Sequence, residues 1–306
     1  MTRLKLSICI CTYNRLEFLN TCVDSVLKQI NGLEEVELII INNNSTDETE
    51  SYCQNLALDN KNIRCFLEKN QGLSHARNRA KKEYHGEWLA FLDDDAYASS
   101  DWVNNILNVI ENNNFDIFGG PYDPWYKDGK ESWYKDIYGS NRMWLPFNKT
   151  TRLLDKSVSG GNMIINRNVL EKLSFDIDKG MNGYNRSYGE ETYFQTKAKD
   201  LGFKVYFVPD ILIFHFVPKS KQCIEYFIER ATIQGNERVN NKDIDASYFM
   251  LFKIVLKSTY SILSKNFSNL LKFIKGEVGT YNMYIDNLVL ITYYKNFFSS
   301  VINKLK

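Results

Sequence analysis

The stretch Trp88-Leu89-Ala90-Phe91-Leu92-Asp93-Asp94-Asp95 decides how the rest of the chain is read. Five apolar residues run without a break, the pattern of a strand buried on both faces of a parallel sheet. Three carboxylates follow where such a strand would leave the sheet at its carboxyl end, the edge at which open α/β sheets take their ligands. Adjacent carboxylates repel one another, so two explanations compete. Either the acids spread into water on a surface loop, or a hard, oxygen-preferring cation gathers them. Their place directly against a buried strand, rather than within a polar run, favours the cation.

Upstream of this stretch, strands and helices alternate. Residues 6–12 read as a buried strand, followed by Thr12-Tyr13-Asn14-Arg15, in which Asn14 is expected to cap a helix reaching about Gln29. That helix carries Leu16, Leu19, Val23, Val26 and Leu27 on one face. Residues 36–41 are a second strand, and the polar turn 42–47 leads into a helix over 48–58. Residues 63–67 form a third strand, and a glycine loop at Gly72 opens a helix bearing Ala76, Arg77 and Ala80. This alternation predicts a doubly wound α/β domain.

Downstream, a helix is expected over about 100–113, then a stretch rich in aromatics from Tyr122 to Phe147. Those rings either form a small core of their own over the sheet or offer faces for sugar C–H surfaces, and the two readings stand level. Gly160-Gly161-Asn162 precedes another strand and permits close backbone approach. Tyr188-Gly189-Glu190-Glu191 opens a helix that Gly202 ends. Short strands over 205–208 and 211–216 follow, with His215 near the end of the second, and then a helix over about 222–238.

From Ala246 the chain changes character. Eight lysines stand against Glu277 and Asp286, a net +6 that leaves −5 on the preceding 245 residues of a chain whose total is +1. Leu251, Ile254, Val255, Tyr260, Ile262, Leu263, Leu270, Leu271, Phe273 and Ile274 are interspersed with the lysines, as in basic amphipathic helices that lie on anionic membrane surfaces. A helical cap with solvated lysines is the plainer alternative. No apolar run reaches the roughly 18 residues needed to span a bilayer. The start at Met1-Thr2-Arg3-Leu4-Lys5 leads straight into a strand, so no secretory leader is expected. The six cysteines show no CxxC spacing and are expected to be reduced and cytoplasmic. The near-neutral charge excludes the global basic field of a nucleic-acid binder.

No GxGxxG, GxxxxGK[ST] or GxSxG signature is present, which argues against dinucleotide binding, P-loop chemistry and serine hydrolysis. What the chain does carry, in order, is SICICTYNR, IIINNNSTDET, NQGLSHARNRA, WLAFLDDDA, SGGNMIINRNVLEKL and YGEETYFQTKAKDLGFKV. In these elements, from about Ser7 to Arg238, it resembles the family 2 glycosyltransferases of GT-A fold. The resemblance implies a mixed, doubly wound sheet with residues 1–240 as the catalytic domain. Its nucleotide-sugar half would cover about 1–120 and its acceptor half about 121–240, with a helical extension over 241–306.

It also implies metal-dependent, inverting transfer of a hexose from a nucleoside-diphosphate sugar, UDP-sugar first among them, to an acceptor hydroxyl. The acceptor would be a saccharide or a polyprenyl-linked glycan in surface polysaccharide assembly, with the enzyme peripheral on the inner membrane face. By resemblance Thr12, Tyr13, Arg15, Asn42, Arg77, Asp93 and Asp94 would hold the nucleotide-sugar. Asp95 and His215 would hold Mn2+ or Mg2+. Gly161, Asn162 and Glu190 would lie toward the donor sugar and acceptor, and Glu191 would be the general base. Asn42 stands where the family usually has an aspartate facing the base, and assignment between Glu190 and Glu191 stays open. Two other functions compete: a sugar-nucleotidyltransferase, whose glycine-rich basic loop is missing after the first strand, and a non-catalytic nucleotide- or glycan-binding protein.

Overall fold

A computed structural model describes residues 4–179, 189–240, 260, 263–272, 274–275 and 280–305. Tyr188 and the tail positions Leu251, Ile254, Val255, Ile262 and Phe273 lie outside the described residues. By internal packing the chain divides into two compact units, Met1–Trp125 with Lys135–Phe216, and Tyr126–Tyr134 with Val217–Lys306.

The first unit is built on the strands whose apolar runs the sequence announces. β1 (Leu6–Thr12), β2 (Val36–Asn42), β3 (Ile63–Leu67) and β4 (Trp88–Asp93) lie parallel in the order β3-β2-β1-β4. The sheet continues through β9 (Asn162–Asn166), β6 (Ile117–Gly119), β10 (Val205–Phe207) and β8 (Thr151–Arg152). β9 runs antiparallel to both its neighbours, so the sheet is mixed. A second sheet of β5 (Ala96–Ala98), β11 (Ile213–Phe216) and β7 (Tyr122–Trp125) stands beside the carboxyl end of β4.

Side chains alternate across the main sheet with period two. Ile8 and Ile10 of β1, with Ala90 and Leu92 of β4, join Leu19, Val23 and Val26 of α1 (Leu16–Ile30) in one core. Cys9, Ile41 and Phe91 join Ala76 and Ala80 of α3 (Leu73–Glu83) and Phe194 of α6 (Glu190–Asp200) in the other. The same alternation sends Asp93, two residues after Phe91, toward the α3 face. Between these elements lie α2 (Thr49–Asp59), α4 (Trp102–Asn112) and α5 (Arg167–Lys172).

One local expectation is corrected, and one expected site residue proves to be bonded within the protein. Asn14 does not cap α1, because it sits at φ 52° and Arg15 occupies the N-cap position. Its Oδ1 instead accepts from Thr46 N–H at 2.7 Å, tying the loop after β1 to the loop after β2. Asn162, expected at the sugar side, is fully buried as a strut. Its Oδ1 accepts from Trp102 Nε1 at 3.0 Å, and its Nδ2 donates to Ile211 O at 2.7 Å and Pro121 O at 3.2 Å. With the carbonyl and both amide hydrogens engaged by protein, it joins β9, α4 and the approach to β11.

The aromatic stretch divides. Trp125 packs edge-on against Phe18, Tyr97 and Phe216 within the first unit. Trp133 and Tyr134 pack on Phe227 within the second. Trp144 is the exposed ring of the stretch Tyr122 to Phe147. All six cysteines are free thiols.

The second unit is helical, with α7 (Ile224–Asn240) and α8 (Thr280–Leu305). Ala231, Ile285, Tyr294 and Phe297 are buried there, and Gln222 accepts from Glu131 N–H at 2.7 Å. No described helix is long and apolar enough to cross a membrane.

Truncating the strut should lower stability. Asn162→Ala takes the partner from the Trp102 indole N–H and the Ile211 carbonyl, while Pro121 O keeps the Ile213 N–H. The expected loss is about 2–4 kcal/mol in urea unfolding, and the folded fraction should keep its ligand binding.

Candidate active site

The carboxylates at the end of β4 do not spread into water: Asp94 and Asp95 are buried and Asp93 is partly so. Arg15, at the start of α1, donates from one guanidinium nitrogen to Asp95 Oδ2 at 2.7 Å and Asp94 Oδ1 at 3.2 Å. Burial pushes the Asp94 carboxyl up to about 7, against the pull of Arg15. Asp93 is also raised, by burial, against the pull of Arg77.

His215 completes this corner from β11, where it pairs with Ala96 of β5 and Pro124 of β7. Its Nε2 lies 3.2 Å from Asp95 Oδ1, and its Nδ1 lies 3.0 Å from Phe216 O. A backbone carbonyl only accepts, so Nδ1 carries the hydrogen and Nε2 is the ring atom that faces the carboxylate. A positive charge between Nε2 and the carboxylate, whether a proton or a metal ion, suits that approach. One ligand atom each from Asp93, Asp95 and His215 lies within 4.8 Å of the other two. A ring whose far nitrogen is tied to a carbonyl is the usual setting of a metal-bound histidine. Two carboxylates and an imidazole thus fit a divalent cation.

Arg77 links this corner to α6. It is buried on α3, donates to Glu190 Oε1 at 2.6 Å and stands 3.9 Å from Asp93 Oδ1. Its guanidinium lies over the rings of Phe91 and Phe175, 5.6 and 5.5 Å from their centroids. The glycine pair makes room for it. A Cβ at Gly160 would come within 2.6 Å of Arg77, and one at Gly161 would overlap the Asp93 carboxylate. Gly161 therefore belongs to the site as space rather than as a ligand.

Glu190 and Glu191 open α6 after Gly189, which holds φ 104°. Glu190 is buried against Arg77, whereas Glu191 is half-buried, with its carboxyl pushed up to about 7 by burial and by the neighbouring Glu190. The pair is thus divided by geometry: one acid is committed to an arginine, and the other is left to titrate near neutrality.

Thr12 and Asn42 end β1 and β2, paired in register, and both are buried. Tyr13 is exposed beside them. Asn42 Oδ1 accepts from Ser45 N–H at 2.9 Å, which fixes the amide's orientation and leaves its buried Nδ2 without a protein partner. The site thus gathers Thr12, Arg15, Asn42, Arg77, the three acids, Gly161, the glutamate pair and His215 along one sheet edge. Asn162, on β9 beside it, bonds through its side chain to Trp102, Pro121 and Ile211. The parts the sequence reading missed are Phe175, under the Arg77 guanidinium, and Phe194, stacked on it at 4.4 Å. The segment after α5, tied to α3 by the bond of Phe175 N–H to Asn78 Oδ1, meets α6 there.

The profile of the family described as Glycosyl transferase family 2 matches residues 7–174. The chain belongs to that family, and its fold is of the GT-A class with a helical C-terminal region. Among individual proteins it is similar to glycosyltransferase GlyA of Streptococcus pneumoniae, 24% identical over 225 residues, a match spanning 71% of this chain but 31% of that protein. It is 26% identical over 281 residues to the GalNAc(5)-diNAcBac-PP-undecaprenol beta-1,3-glucosyltransferase of Campylobacter jejuni, covering 88% of this chain and 86% of that one. Among solved structures, the mannosyltransferase PcManGT of Pyrobaculum calidifontis, in complex with GDP-Man and Mn2+, superposes with a TM-score of 0.61. That likeness covers 97% of this chain and 88% of that one at 16% identity.

The raised Glu191 carboxyl has a measurable cost. Its folded-state value lies above that of the unfolded chain, so ionising it opposes folding, and the penalty is absent below about pH 4.5 and complete above about pH 7. Glu191→Gln should therefore stabilise the protein by ~1–3 kcal/mol at pH 8 and leave stability near pH 4 unchanged, as read by denaturant unfolding at both values.

Proposed function

We propose that this protein is a metal-dependent, inverting hexosyltransferase that moves a sugar from a nucleoside-diphosphate sugar, UDP-sugar first among them, to an acceptor hydroxyl. The observation that carries this reading is the pairing of two features across Arg77. On one side lies a cluster of carboxylates and an imidazole fit for a cation. On the other lies a carboxyl poised to take a proton near pH 7. The half of the catalytic domain before about residue 120 would hold the nucleotide, and the half from about 121 to 240 the acceptor. The acceptor is a saccharide or a polyprenyl-linked glycan of a surface polysaccharide. The Campylobacter relative, named for a PP-undecaprenol-linked acceptor, supports this reading of the acceptor. On that reading the enzyme works in the cytoplasm, peripheral on the inner membrane face.

Asp95 and His215, with Asp93 beside them, would hold Mn2+ or Mg2+. When bound, that cation would neutralise charge gathering on the departing diphosphate. Arg15 and Arg77 offer further positive charge on the same side. Glu191 takes the proton from the acceptor hydroxyl as its oxygen bonds to the anomeric carbon. The bond from that carbon to the diphosphate oxygen breaks on the opposite face, so configuration inverts. Glu190, held by Arg77, fixes the start of α6 and hence the reach of Glu191.

Asp95→Asn should abolish metal-dependent nucleotide binding in calorimetry while leaving the circular dichroism spectrum unchanged. Glu191→Gln should lower turnover by about 100-fold with donor binding retained. In the wild-type enzyme kcat should fall about tenfold per pH unit below about 7, because the base must be ionised. Full activity in excess EDTA, or a dead Glu190→Gln beside an active Glu191→Gln, would overturn these assignments.

Asn42 presents only a donor, Nδ2, toward the nucleotide edge, which suits a carbonyl of the base. Asn42→Asp offers an acceptor that a uracil ring N–H can meet and a cytosine ring nitrogen cannot. The ratio of UDP to CDP affinity should therefore rise about tenfold, read by competition binding.

A further inference from the structure

The helical segment at 263–272 in the second unit has its polarity reversed. Every residue in it is exposed except Asn266 and Asn269. Asn269 makes the contact to the long helix α8, donating from Nδ2 to Asn287 Oδ1 at 2.9 Å. The large apolar side chains face out: Tyr260, Leu263, Phe267, Leu270, Leu271 and Ile274 are 41–74% exposed. At 3.6 residues per turn Leu263, Phe267, Leu270 and Leu271, all within the described segment, fall within about 100° of arc, and Asn269 lies about 150° from its centre. A surface helix in water buries its leucines and exposes its asparagines, and this one does the opposite. A continuous exposed apolar stripe of this size marks a surface made for contact.

The neighbouring charges say what kind. Lys265, Lys272 and Lys275 are all exposed, and Lys272 and Lys265 lie on the face away from the stripe, about 150° and 170° from its centre. Their chains can reach up to headgroups while the stripe enters the acyl boundary. A second copy of the helix would bring like charges together, whereas an anionic lipid surface attracts them. No described helix is long and apolar enough to cross a membrane.

We propose that this helix lies in the interface of an anionic lipid bilayer, with Leu263, Phe267, Leu270 and Ile274 inserted and Lys265, Lys272 and Lys275 at the headgroups. The inference deepens the placement at the inner membrane face proposed above and rests on it for the site of action. Its physical content is independent of catalysis.

The test is flotation of the full chain with vesicles of equal parts phosphatidylglycerol and phosphatidylcholine, and with phosphatidylcholine alone. The expected result is flotation with the anionic vesicles, weakened but not abolished by salt. Phe267→Gln with Leu270→Gln should lower partitioning about tenfold or more with an unchanged melting temperature. Replacing the three lysines with glutamine should lower it about tenfold or more on anionic vesicles alone. Equal flotation of all forms overturns the proposal. So does unfolding of the Phe267→Gln, Leu270→Gln form, which would mean the stripe is packed against protein. A dimer that the same substitutions dissociate, without flotation, also overturns it. Transfer to a soluble acceptor, assayed on the same variants, separates the two readings. Transfer without flotation overturns this inference alone, and flotation without transfer overturns the catalytic reading alone.

Discussion

The guanidinium of Arg77 is the fixed point of the catalytic unit. It is fully desolvated between the end of β4 and the start of α6, and a lone charge in that position would be untenable. Three features make it tolerable: the 2.6 Å bond to Glu190, the more distant Asp93, and the two aromatic faces of Phe91 and Phe175. Removing any one partner leaves another charge buried and uncompensated, so the arrangement holds as a unit or not at all. Through it, two segments about 100 residues apart in sequence are kept in one constellation.

The rest of the site follows from how charge is shared around that point. Glu190 spends its charge on Arg77, and Glu191, next in sequence, is left in partly desolvated surroundings. Adjacent carboxyls therefore acquire different chemistry from different neighbours, one held as a strut and the other left to titrate near neutrality. At the other end Arg15 bridges Asp94 and Asp95, so the acids are partly balanced before any cation is considered. The glycine pair before β9 lets backbone pass where any Cβ would strike Arg77 or Asp93. That is a steric requirement, and it explains why two glycines stand together at a point where the sheet is otherwise tightly packed.

Stability is given up at several of these positions. A carboxyl raised to about 7, a buried amide donor without a protein partner, and a helix that turns its leucines outward each oppose folding in water. Each would be offset by what the proposed function supplies from outside the chain: a proton to be taken, a ligand acceptor, an apolar medium. In this family 2 glycosyltransferase the costs fall at the carboxyl edge of the sheet and on the outward face of the second unit, while the two cores flanking the sheet are conventionally packed.

Period and punctuation in the sequence determined the alternation of strands and helices, the parallel run β1 to β4, and the emergence of three acids at a ligand-binding edge. These are properties of local burial, and a continuous apolar run ending in carboxylates encodes them within eight residues. Ordered motifs reached further, to the family and to the place of His215 and the glutamate pair. Tertiary structure alone decided the partners. It spent Asn162 on Trp102 and two carbonyls, turned Asn14 from a cap into a bridge, and fixed Asn42 by Ser45 so that its donor is left over. It also separated Glu190 from Glu191 and set the leucines of the basic tail outward. Periodicity records whether a side chain is buried, but a polar group's role depends on which donor or acceptor meets it. That is settled by contacts between residues distant in the chain.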